Sequence, residues 1–280
     1  MKRSDFFRKE GRYTNDPAEL ERKYQRLLRE QEETLILEEL QKRAAAGSTY
    51  SSVVAGGGAS FTVNPNPLVG SGSMEFDGID PLAGGSSLKS LSTLMTWLPG
   101  TGDYTVEWFQ KESSGVQPNP TAWAIGPYGG TKPAISNDGT EFLVWSLGLP
   151  FPIGIAFDDV WIHVAFVRSS GIIRCYINGV ESGSGAPYSE NIGASAYDFN
   201  IGSDGETFDS GFTGKITNFR WTNGVVYAAN FTVPTTALTL LPATKILLLG
   251  GDVTNPAIDA TGINTWVYNA VVWSPETPFI

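Results

Sequence analysis

The sequence is short of the residues on which much catalytic and metal chemistry depends. It contains one cysteine and one histidine among 280 residues. Cys175 has no partner for an intrachain disulfide, so we expect a small buried hydrophobic residue there. Catalysis of the Ser/His/Asp or Cys/His kind would have to use His163, whose apolar neighbours favour a hydrogen-bonded structural role instead. No P-loop, dinucleotide fingerprint or metal-spaced Cys/His cluster is present.

Long apolar runs and basic charge are lacking as well. No stretch of about 18 apolar residues occurs, so no membrane-spanning helix is predicted. The charged start MKRSDFFRKEGRY has no apolar core of a secretory signal, which indicates synthesis in a cytosol. Residues 47–280 carry eight Lys and Arg against nineteen Asp and Glu. So acidic a body argues against a nucleic-acid partner, which selects a basic surface.

The strongest structural signal that is present is the stretch Trp161–Gly179, WIHVAFVRSSGIIRCYING. It predicts two strands joined by a short turn, rich in β-branched and aromatic residues. Alternation places Trp161 and His163 on one face and Ile162 and Val164 on the other. Because both faces are apolar, the strand is expected inside a two-sheet sandwich. We interpret Trp161 itself as a core residue.

Further strands are predicted along the acidic body, separated by glycine-containing turn signals such as Gly183-Ser184-Gly185. The predicted strands are Met74–Asp77, Tyr104–Lys111, Thr121–Ile125, Glu141–Leu147, Tyr197–Gly202, Phe212–Trp221, Lys245–Leu249 and Thr265–Trp273.

Several motifs of the chain occur in the order expected for one known domain type. They are Ser73–Gly78 (SMEFDG), Gly102–Phe109 (GDYTVEWF), the Trp-x-His-Val-Ala hairpin, and Phe212–Arg220 (FTGKITNFR). Together they resemble laminin-G-like domains, which belong to the concanavalin-A-like jelly rolls. The tail, NFTVP at 230–234 and KILLL at 245–249, resembles modules of this type in phage and other virus structural proteins. The resemblance implies a mainly β, two-sheet antiparallel jelly-roll sandwich over 73–280.

The N-terminal segment, residues 1–46, has a different character. Asp16-Pro17-Ala18-Glu19 is typical of a helix start, and no further Pro or Gly follows before Gly47. A long N-terminal α-helix is therefore predicted, with a Gly/Ser/Pro linker at 47–72. It could pack on its own domain. We favour an anchoring arm, because a sandwich already buries its own core. Its candidate interface residues are Leu20, Tyr24, Leu27, Leu28, Leu35 and Leu37.

This organisation predicts a virion structural protein, either a capsid decoration or a tail or fibre component. Residues 1–60 would bind other virion proteins or further copies of the chain, and a trimer is the favoured homo-oligomer. The expected location is the virion, assembled in the host cytoplasm. Residues 73–280, here called the head, are predicted to be non-enzymatic, with no membrane or nucleic-acid partner and no cofactor.

Two alternatives remain open for the head. The first is a glycan-binding lectin module for host attachment, whose candidate residues are Trp123, Trp221, Asp204 and Asp209. Some laminin-G-like domains bind calcium, and Asp158, Asp159, Asp204, Glu206 and Asp209 would be its loop ligands here. The second alternative is a glycoside hydrolase that uses Glu75 and Asp80. Against it, the Asp80 side chain is one methylene shorter than the glutamate that jelly-roll glucanases have there, and Pro81 breaks the strand.

Overall fold

The computed structural model describes eleven stretches of the chain, all within Thr62–Ile280, one of the two units into which the chain divides. They are residues 72–79, 85–90, 95–113, 120–126, 133–137, 141–144, 149–152, 159–193, 197–204, 211–251 and 257–279. The predicted N-terminal helix with its stripe (Leu20, Tyr24, Leu27, Leu28, Leu35, Leu37) lies outside the described residues, as does the linker before Gly72.

Every regular element in these stretches is a β-strand, so the mainly β prediction is confirmed for the head. No helix in this part of the chain has the length and hydrophobicity that a membrane crossing requires. The strands are β1 (Ser73–Asp77), β2 (Ser87–Ser90), β3 (Tyr104–Glu112), β4 (Thr121–Ile125), β5 (Ala134–Asn137), β6 (Glu141–Val144), β7 (Leu149–Pro152), β8 (Trp161–Ser169), β9 (Ile172–Ile177), β10 (Val180–Pro187), β11 (Phe199–Ile201), β12 (Thr213–Thr222), β13 (Thr244–Gly250), β14 (Ala257–Asp259), β15 (Trp266–Asn269) and β16 (Val272–Ser274).

The strands form two antiparallel sheets. Sheet I has the order β10-β9-β8-β3-β12-β1-β16, and β13 also pairs with β12 and with β14. Sheet II has the order β15-β2-β11-β4-β5-β6-β7. One edge of β12 serves two partners, since β1 pairs with Thr213–Ile216 and β13 with Phe219–Thr222. Between these two segments the pairing of β12 with β3 shifts its register at Asn218, whose φ of 52° is that of a bulge residue.

The central hairpin predicted from Trp161–Gly179 is confirmed as β8 and β9. Val164 pairs with Ile177 and Ser169 with Ile172. The turn places Ser170 and Gly171 at φ 50° and 77°, which is the pattern of a tight hairpin turn. On its other side β8 pairs with β3, where His163 lies opposite Phe109. The hairpin therefore lies within sheet I.

An aromatic core joins the two sheets. Trp108 of sheet I stacks between Phe166 and Phe219, with ring centroids 6.1 and 6.0 Å away. Trp123 of sheet II meets Trp221 of sheet I edge to face at 5.5 Å. Such pairs add about 0.5–1.5 kcal/mol each to the stabilisation from burial. The two-sheet sandwich thus has one continuous core, and among the described residues it runs from Met74 to Val271.

The outer face of sheet I is also covered. Residues 223–243, here called the cover segment, leave β12 and return to its edge as β13. Tyr227 and Phe231 of this segment pack on Ala165, Val167 and Tyr176. Val233 packs further along the same face in a second small cluster, with Phe109 and Leu247. This cover explains why the first hairpin strand needs two apolar faces.

Some strand predictions were wrong. Gly183-Ser184-Gly185 does not end a strand but lies inside β10, where the register shifts and both glycines have positive φ. The single strand predicted at Thr265–Trp273 is two strands in different sheets, β15 and β16, divided at Ala270. Five of the described strands were not predicted, namely the long strand β10 and the short strands β2, β5, β7 and β14.

Candidate functional site

An open cleft of about 380 Å³ lies on the outer face of sheet I. Phe109 comes from β3, Trp161 and His163 come from β8, and the remaining walls come from the β9–β10 turn, the cover segment and the C-terminal tail. The lining residues are Phe109, Trp161, His163, Asn178, Val233, Pro234, Thr235 and Pro278. Ligand sites of proteins have volumes of about 300–1,000 Å³, so the cleft has room for a small ligand.

The Asn178-Gly179 turn brings the cover segment to the edge of this cleft. Its residues have φ of 49° and 80°, which Asn and Gly tolerate best. Asn178 Oδ1 accepts the backbone N–H of His163 at 2.9 Å. Phe231 donates its backbone N–H to the Gly179 carbonyl, also at 2.9 Å. A Cβ at Gly179 would lie 2.1 Å from the Phe231 oxygen, so only glycine permits this close approach.

Glu107 is at the centre of a buried polar network beneath the cleft. Its Oε2 accepts a hydrogen bond from His163 Nε2 at 3.0 Å and another from the Tyr227 hydroxyl at 2.7 Å. Its Oε1 accepts two from Arg220, one of them from Nε at 2.9 Å. Arg220 Nη1 also donates to the carbonyl of Thr239 in the cover segment, at 2.7 Å. The network therefore ties β3, β8 and β12 to the cover segment.

The charges of this network balance. Burial acts to raise the pKa of Glu107, but the hydrogen bond from His163, the positive charge of Arg220 and the hydrogen bond from Tyr227 together lower it below its ordinary value. Burial and the neighbouring Glu107 charge raise the pKa of Tyr227 strongly, so its hydroxyl stays protonated. Glu107 is thus an ionised acceptor paired with Arg220, as a buried charge must be.

Two nitrogens of the lining residues, His163 Nδ1 and Trp161 Nε1, are buried without a hydrogen-bond partner. Buried polar groups in proteins are nearly always paired, so each unpaired one needs an explanation. His163 Nε2 donates to the Glu107 carboxylate, which can only accept, and this leaves the other ring nitrogen, Nδ1, without a partner. The indole Nε1–H of Trp161 is a donor. Because neither nitrogen has exposed surface, a ligand in the cleft would reach them only if the surrounding side chains moved.

Aromatic rings fix the orientation of His163. Phe109 meets the imidazole edge to face with centroids 4.7 Å apart, and Phe231 does so at 5.6 Å. Phe279 packs in turn against Phe109 at 5.0 Å. Together with the Glu107 contact, these rings leave the imidazole little freedom to turn. The cleft thus has an aromatic wall whose rings are held in place.

The sequence analysis placed the glycan site at Trp123, Trp221, Asp204 and Asp209. The structure contradicts this prediction for the two tryptophans. Trp123 and Trp221 are 1% and 0% exposed, because they meet each other inside the sandwich. Neither ring face is open to a sugar. Asp204 is fully buried as well, and Asp209 lies outside the described residues.

The other candidate residues do not gather into a catalytic site in the part of the chain that is described. Glu75 lies half exposed on β1, 4.0 Å from Lys215, while Asp80 lies outside the described residues. Cys175 faces the core, where burial raises the pKa of its thiol, whereas His163 is on the opposite face of sheet I. Among the described residues no group of three or more His, Cys, Asp or Glu could hold a metal.

Comparison with known proteins agrees with this architecture. Residues 96–230 match the laminin-G model of the concanavalin A-like lectin/glucanases superfamily. These residues form a laminin-G-like domain. The match includes Phe109, Trp161, His163 and Asn178, while Val233–Thr235 and Pro278 follow its end. A comparison with curated protein sequences gives no match.

Two solved structures resemble the fold around this laminin-G-like domain. A candidate carbohydrate-binding protein from Bacteroides ovatus aligns with a TM-score of 0.53 and 15% identity, covering 76% of this chain and 62% of that protein. The heptameric SAP-like pentraxin of Limulus polyphemus aligns with a TM-score of 0.50 and 14% identity, covering 73% and 95%. At such identities the likeness shows the jelly-roll fold alone. The chain spans less than two thirds of the Bacteroides protein.

Sequence reasoning missed the cleft although it had one usable signal. Alternation places Trp161 and His163 together on one face of β8, opposite Ile162 and Val164. A large aromatic residue and the sole histidine on one face could have indicated a site in the laminin-G-like domain. The sequence did not show which face was inner, nor that the cover segment would form the opposite wall.

Proposed function

We propose that the head is a non-catalytic carbohydrate-binding module and that its cleft at Trp161 and His163 receives the sugar. Sugars present apolar C–H faces together with hydroxyl groups that donate and accept hydrogen bonds. The cleft matches the apolar face of a sugar, since Phe109, Trp161 and Pro234 are among its lining residues. The observation that carries the proposal is a cleft of ligand size on the outer face of sheet I, walled by aromatic and proline side chains.

A saccharide array followed by calorimetry on the full chain tests this proposal. Trp161→Ala removes the largest apolar surface of the cleft, so affinity should fall about tenfold or more. The matched control is Trp273→Ala, since Trp273 is also partly exposed but does not line the cleft. Its affinity should equal that of the unchanged protein. Absence of saccharide binding, or equal affinity in both variants, would reject the proposal.

We propose a second role, attachment to a virion, for residues 1–60. The supporting observation is that the chain divides into two units, Met1–Phe61 and Thr62–Ile280, and that the described residues of the second join both sheets in one core. Residues 1–46 hold eleven Lys and Arg and ten Asp and Glu around a leucine-rich stripe, which suits docking on a partner or on further copies of the chain. A trimer remains our favoured stoichiometry.

Light scattering on the full chain and on a chain lacking residues 1–46 tests the second role. The full chain should have the mass of a small oligomer and the shortened chain that of a monomer. Where particles can be produced, the shortened chain should be missing from them. Equal masses together with unchanged incorporation would remove the anchoring role without affecting the sugar-binding proposal.

A further inference from the structure

We infer that residues 275–279, here called the strap, are a movable wall of the cleft that Glu276 latches to sheet I. The strap is the part of the C-terminal tail that follows β16, which ends at Ser274. What the strap does to a bound sugar rests on the proposed function, because it concerns the same cleft. Three features carry the inference: the apolar contacts of the strap, its backbone hydrogen bonds, and the ion pairs of Glu276.

The apolar side chains of the strap lie at the cleft. Pro278 is one of the lining residues. The Phe279 ring meets the Phe109 ring edge to face, with centroids 5.0 Å apart. Phe279 and Trp161 both pack against the small cluster that contains Phe109 and Leu247. The strap therefore shields part of the Phe109 wall from water and completes the cleft on this side.

The backbone of the strap is not paired as a strand. The Glu276 N–H donates to Ser274 Oγ and the Phe279 N–H to Thr277 Oγ1, each at 3.3 Å. Both bonds span two residues, so they shape the strap locally without joining it to the sheet. The prolines of the strap have no N–H to donate. Side-chain contacts therefore hold the strap on sheet I, and segments held in this way open locally at low cost.

Glu276 binds two lysines on neighbouring strands. Its Oε1 accepts a hydrogen bond from Lys111 Nζ of β3 at 2.6 Å, and its Oε2 lies 3.2 Å from Lys215 Nζ of β12. Lys111 and Lys215 are direct cross-strand partners, and like charges in such a pair repel each other. The bond from Lys111 is the main cause that lowers the pKa of Glu276; partial burial opposes it, and Lys215 adds to it. One ionised carboxylate thus joins the strap to both strands and offsets their repulsion.

The latch lies at the surface, where solution conditions act on it. The Glu276 side chain is 37% exposed, so its ion pairs are screened by salt. The screening length falls from about 10 Å at about 0.1 M salt to about 3 Å at about 1 M. Asp159 lies 3.5 Å from Lys111 and Glu75 lies 4.0 Å from Lys215, so other acids are at hand for both cations. We therefore expect high salt, or loss of the Glu276 charge, to release the strap.

Release of the strap would change the cleft itself. Pro278 would leave the lining, and water would reach the Phe109 ring. A sugar bound there would lose one wall, so its apparent affinity would follow the fraction of molecules in which the strap is closed. Glu276 is therefore a positioning residue, which acts on a ligand through Pro278 and Phe279.

A fluorine label on the strap tests the latch without any ligand. A single 4-fluorophenylalanine in place of Phe279 in the full chain gives one fluorine NMR signal, whose position depends on contact with the Phe109 ring. From about 50 mM to about 1 M sodium chloride, this signal should move toward its position in the Glu276→Gln variant. In that variant it should respond little to salt. Glu75→Gln is the matched control, since it removes a carboxylate near Lys215 that does not belong to the strap, and its signal should follow the unchanged protein.

Calorimetry with lactose, maltose and cellobiose as probes gives the functional readout. Glu276→Gln should weaken binding of a probe about twofold to fivefold, as expected for the loss of surface ion pairs. Phe279→Ala should weaken it about threefold or more, because it removes the apolar contact with Phe109. Salt at about 1 M should weaken binding to the unchanged protein and to Glu75→Gln, and should have little effect on Glu276→Gln.

The outcomes separate the latch from the proposed function. A fluorine signal that responds neither to salt nor to Glu276→Gln overturns the inference, whether or not a sugar binds. The inference is also overturned if the strap is released as expected while sugar affinity stays the same, because the strap is then no wall of the binding site. If the strap is released as expected and no saccharide binds, the latch stands and only the proposed function falls.

Discussion

Glu107 has no exposed side-chain surface and yet carries a charge. An ionised carboxylate in such a place is tolerated because Arg220, His163 and Tyr227 supply hydrogen bonds to both of its oxygens. The same contacts determine how His163 is oriented under the cleft. A single acidic residue thus couples the stability of sheet I to the geometry of the candidate site.

Glu107→Gln should change both the size and the pH dependence of the free energy of unfolding. At pH 7 the variant should lose about 3–5 kcal/mol, because Arg220 keeps its buried charge without a partner. The pKa of Glu107 is lower in the folded chain than its ordinary value of 4.5. The stabilisation that ionised Glu107 provides is therefore complete above the ordinary pKa of 4.5. It is lost as the pH falls through the lower pKa of the folded chain. Urea unfolding from pH 7 to pH 3 measures this.

Glu75→Gln is the matched control for this acid titration. Glu75 lies half exposed, 4.0 Å from Lys215, so its ion pair is weak and screened by solvent. Its variant should follow the unchanged protein over the whole pH range. The account of Glu107 would be contradicted by a Glu107→Gln variant whose stability falls in acid as steeply as that of the unchanged protein.

The tryptophans mark how far single residues can be assigned from sequence. Trp108 lies in the core, where Tyr104 and Val106 on the same face of β3 are buried as well. Trp123 and Trp221 were assigned to a glycan site, and Trp161 was assigned to the core. The structure places the first two inside and the third at the cleft. Alternation fixes which residues share a face, but only packing decides which face is covered and by what.

At the scale of elements, the end of β11 depends on one glycine. Gly202 has a φ of 84°, and a Cβ there would lie 2.3 Å from the Phe76 ring. Phe76 packs edge to face on Phe212, with centroids 6.0 Å apart, so the ring has little room to move away. Gly202→Ala should therefore combine backbone strain of about 1 kcal/mol or more with about 1–3 kcal/mol of overpacking.

Gly171→Ala separates these two costs. Gly171 has a similar φ of 77° in the β8–β9 turn, but nothing lies within 4 Å of the position of its Cβ. Its substitution should cost the backbone strain alone, about 1 kcal/mol. Urea unfolding of both variants gives the difference. Equal losses in the two proteins would mean that the Phe76 contact contributes nothing.

The cover segment is held to sheet I by a few specific contacts. Tyr227 stacks on Phe231 at a centroid distance of 3.5 Å and donates its hydroxyl to Glu107. Tyr227→Phe keeps the ring and removes a hydrogen bond to a charged acceptor, which should cost about 1.5–3 kcal/mol. We expect faster hydrogen exchange of the Phe231 backbone N–H, which is bonded to Gly179. Exchange of amides in the β8–β9 pairing should be less affected, because that pairing remains intact.

A matched control for the cover segment is Tyr197→Phe. Tyr197 is 40% exposed and lies next to β11 rather than on the outer face of sheet I. Its substitution should leave exchange of the cover segment unchanged. If Tyr227→Phe also leaves it unchanged, the hydroxyl contact does not hold the segment in place.

Strands were predictable where their own residues determine them. The hairpin of β8 and β9, and strands β3 and β12, carry alternating large side chains that pack between the sheets, and their bounds lie within one or two residues of the prediction. Strands such as β2 (SLKS) and β10 (VESGSGAP) have few such side chains. They are strands because a neighbouring strand offers its free edge, and this information lies far away in the sequence.

At the scale of the whole molecule, the described residues of the head form a continuous core. This core joins both sheets through Trp123 and Trp221. A chain lacking residues 1–46 should therefore melt within about 2 °C of the full chain, and its near-ultraviolet circular dichroism should be unchanged. A control that opens the core, Phe219→Ala, should lose about 3–5 kcal/mol and melt roughly 10 °C lower. A comparable drop for the shortened chain would mean that the N-terminal segment stabilises the head, and the independent head on which the anchoring proposal rests would be lost.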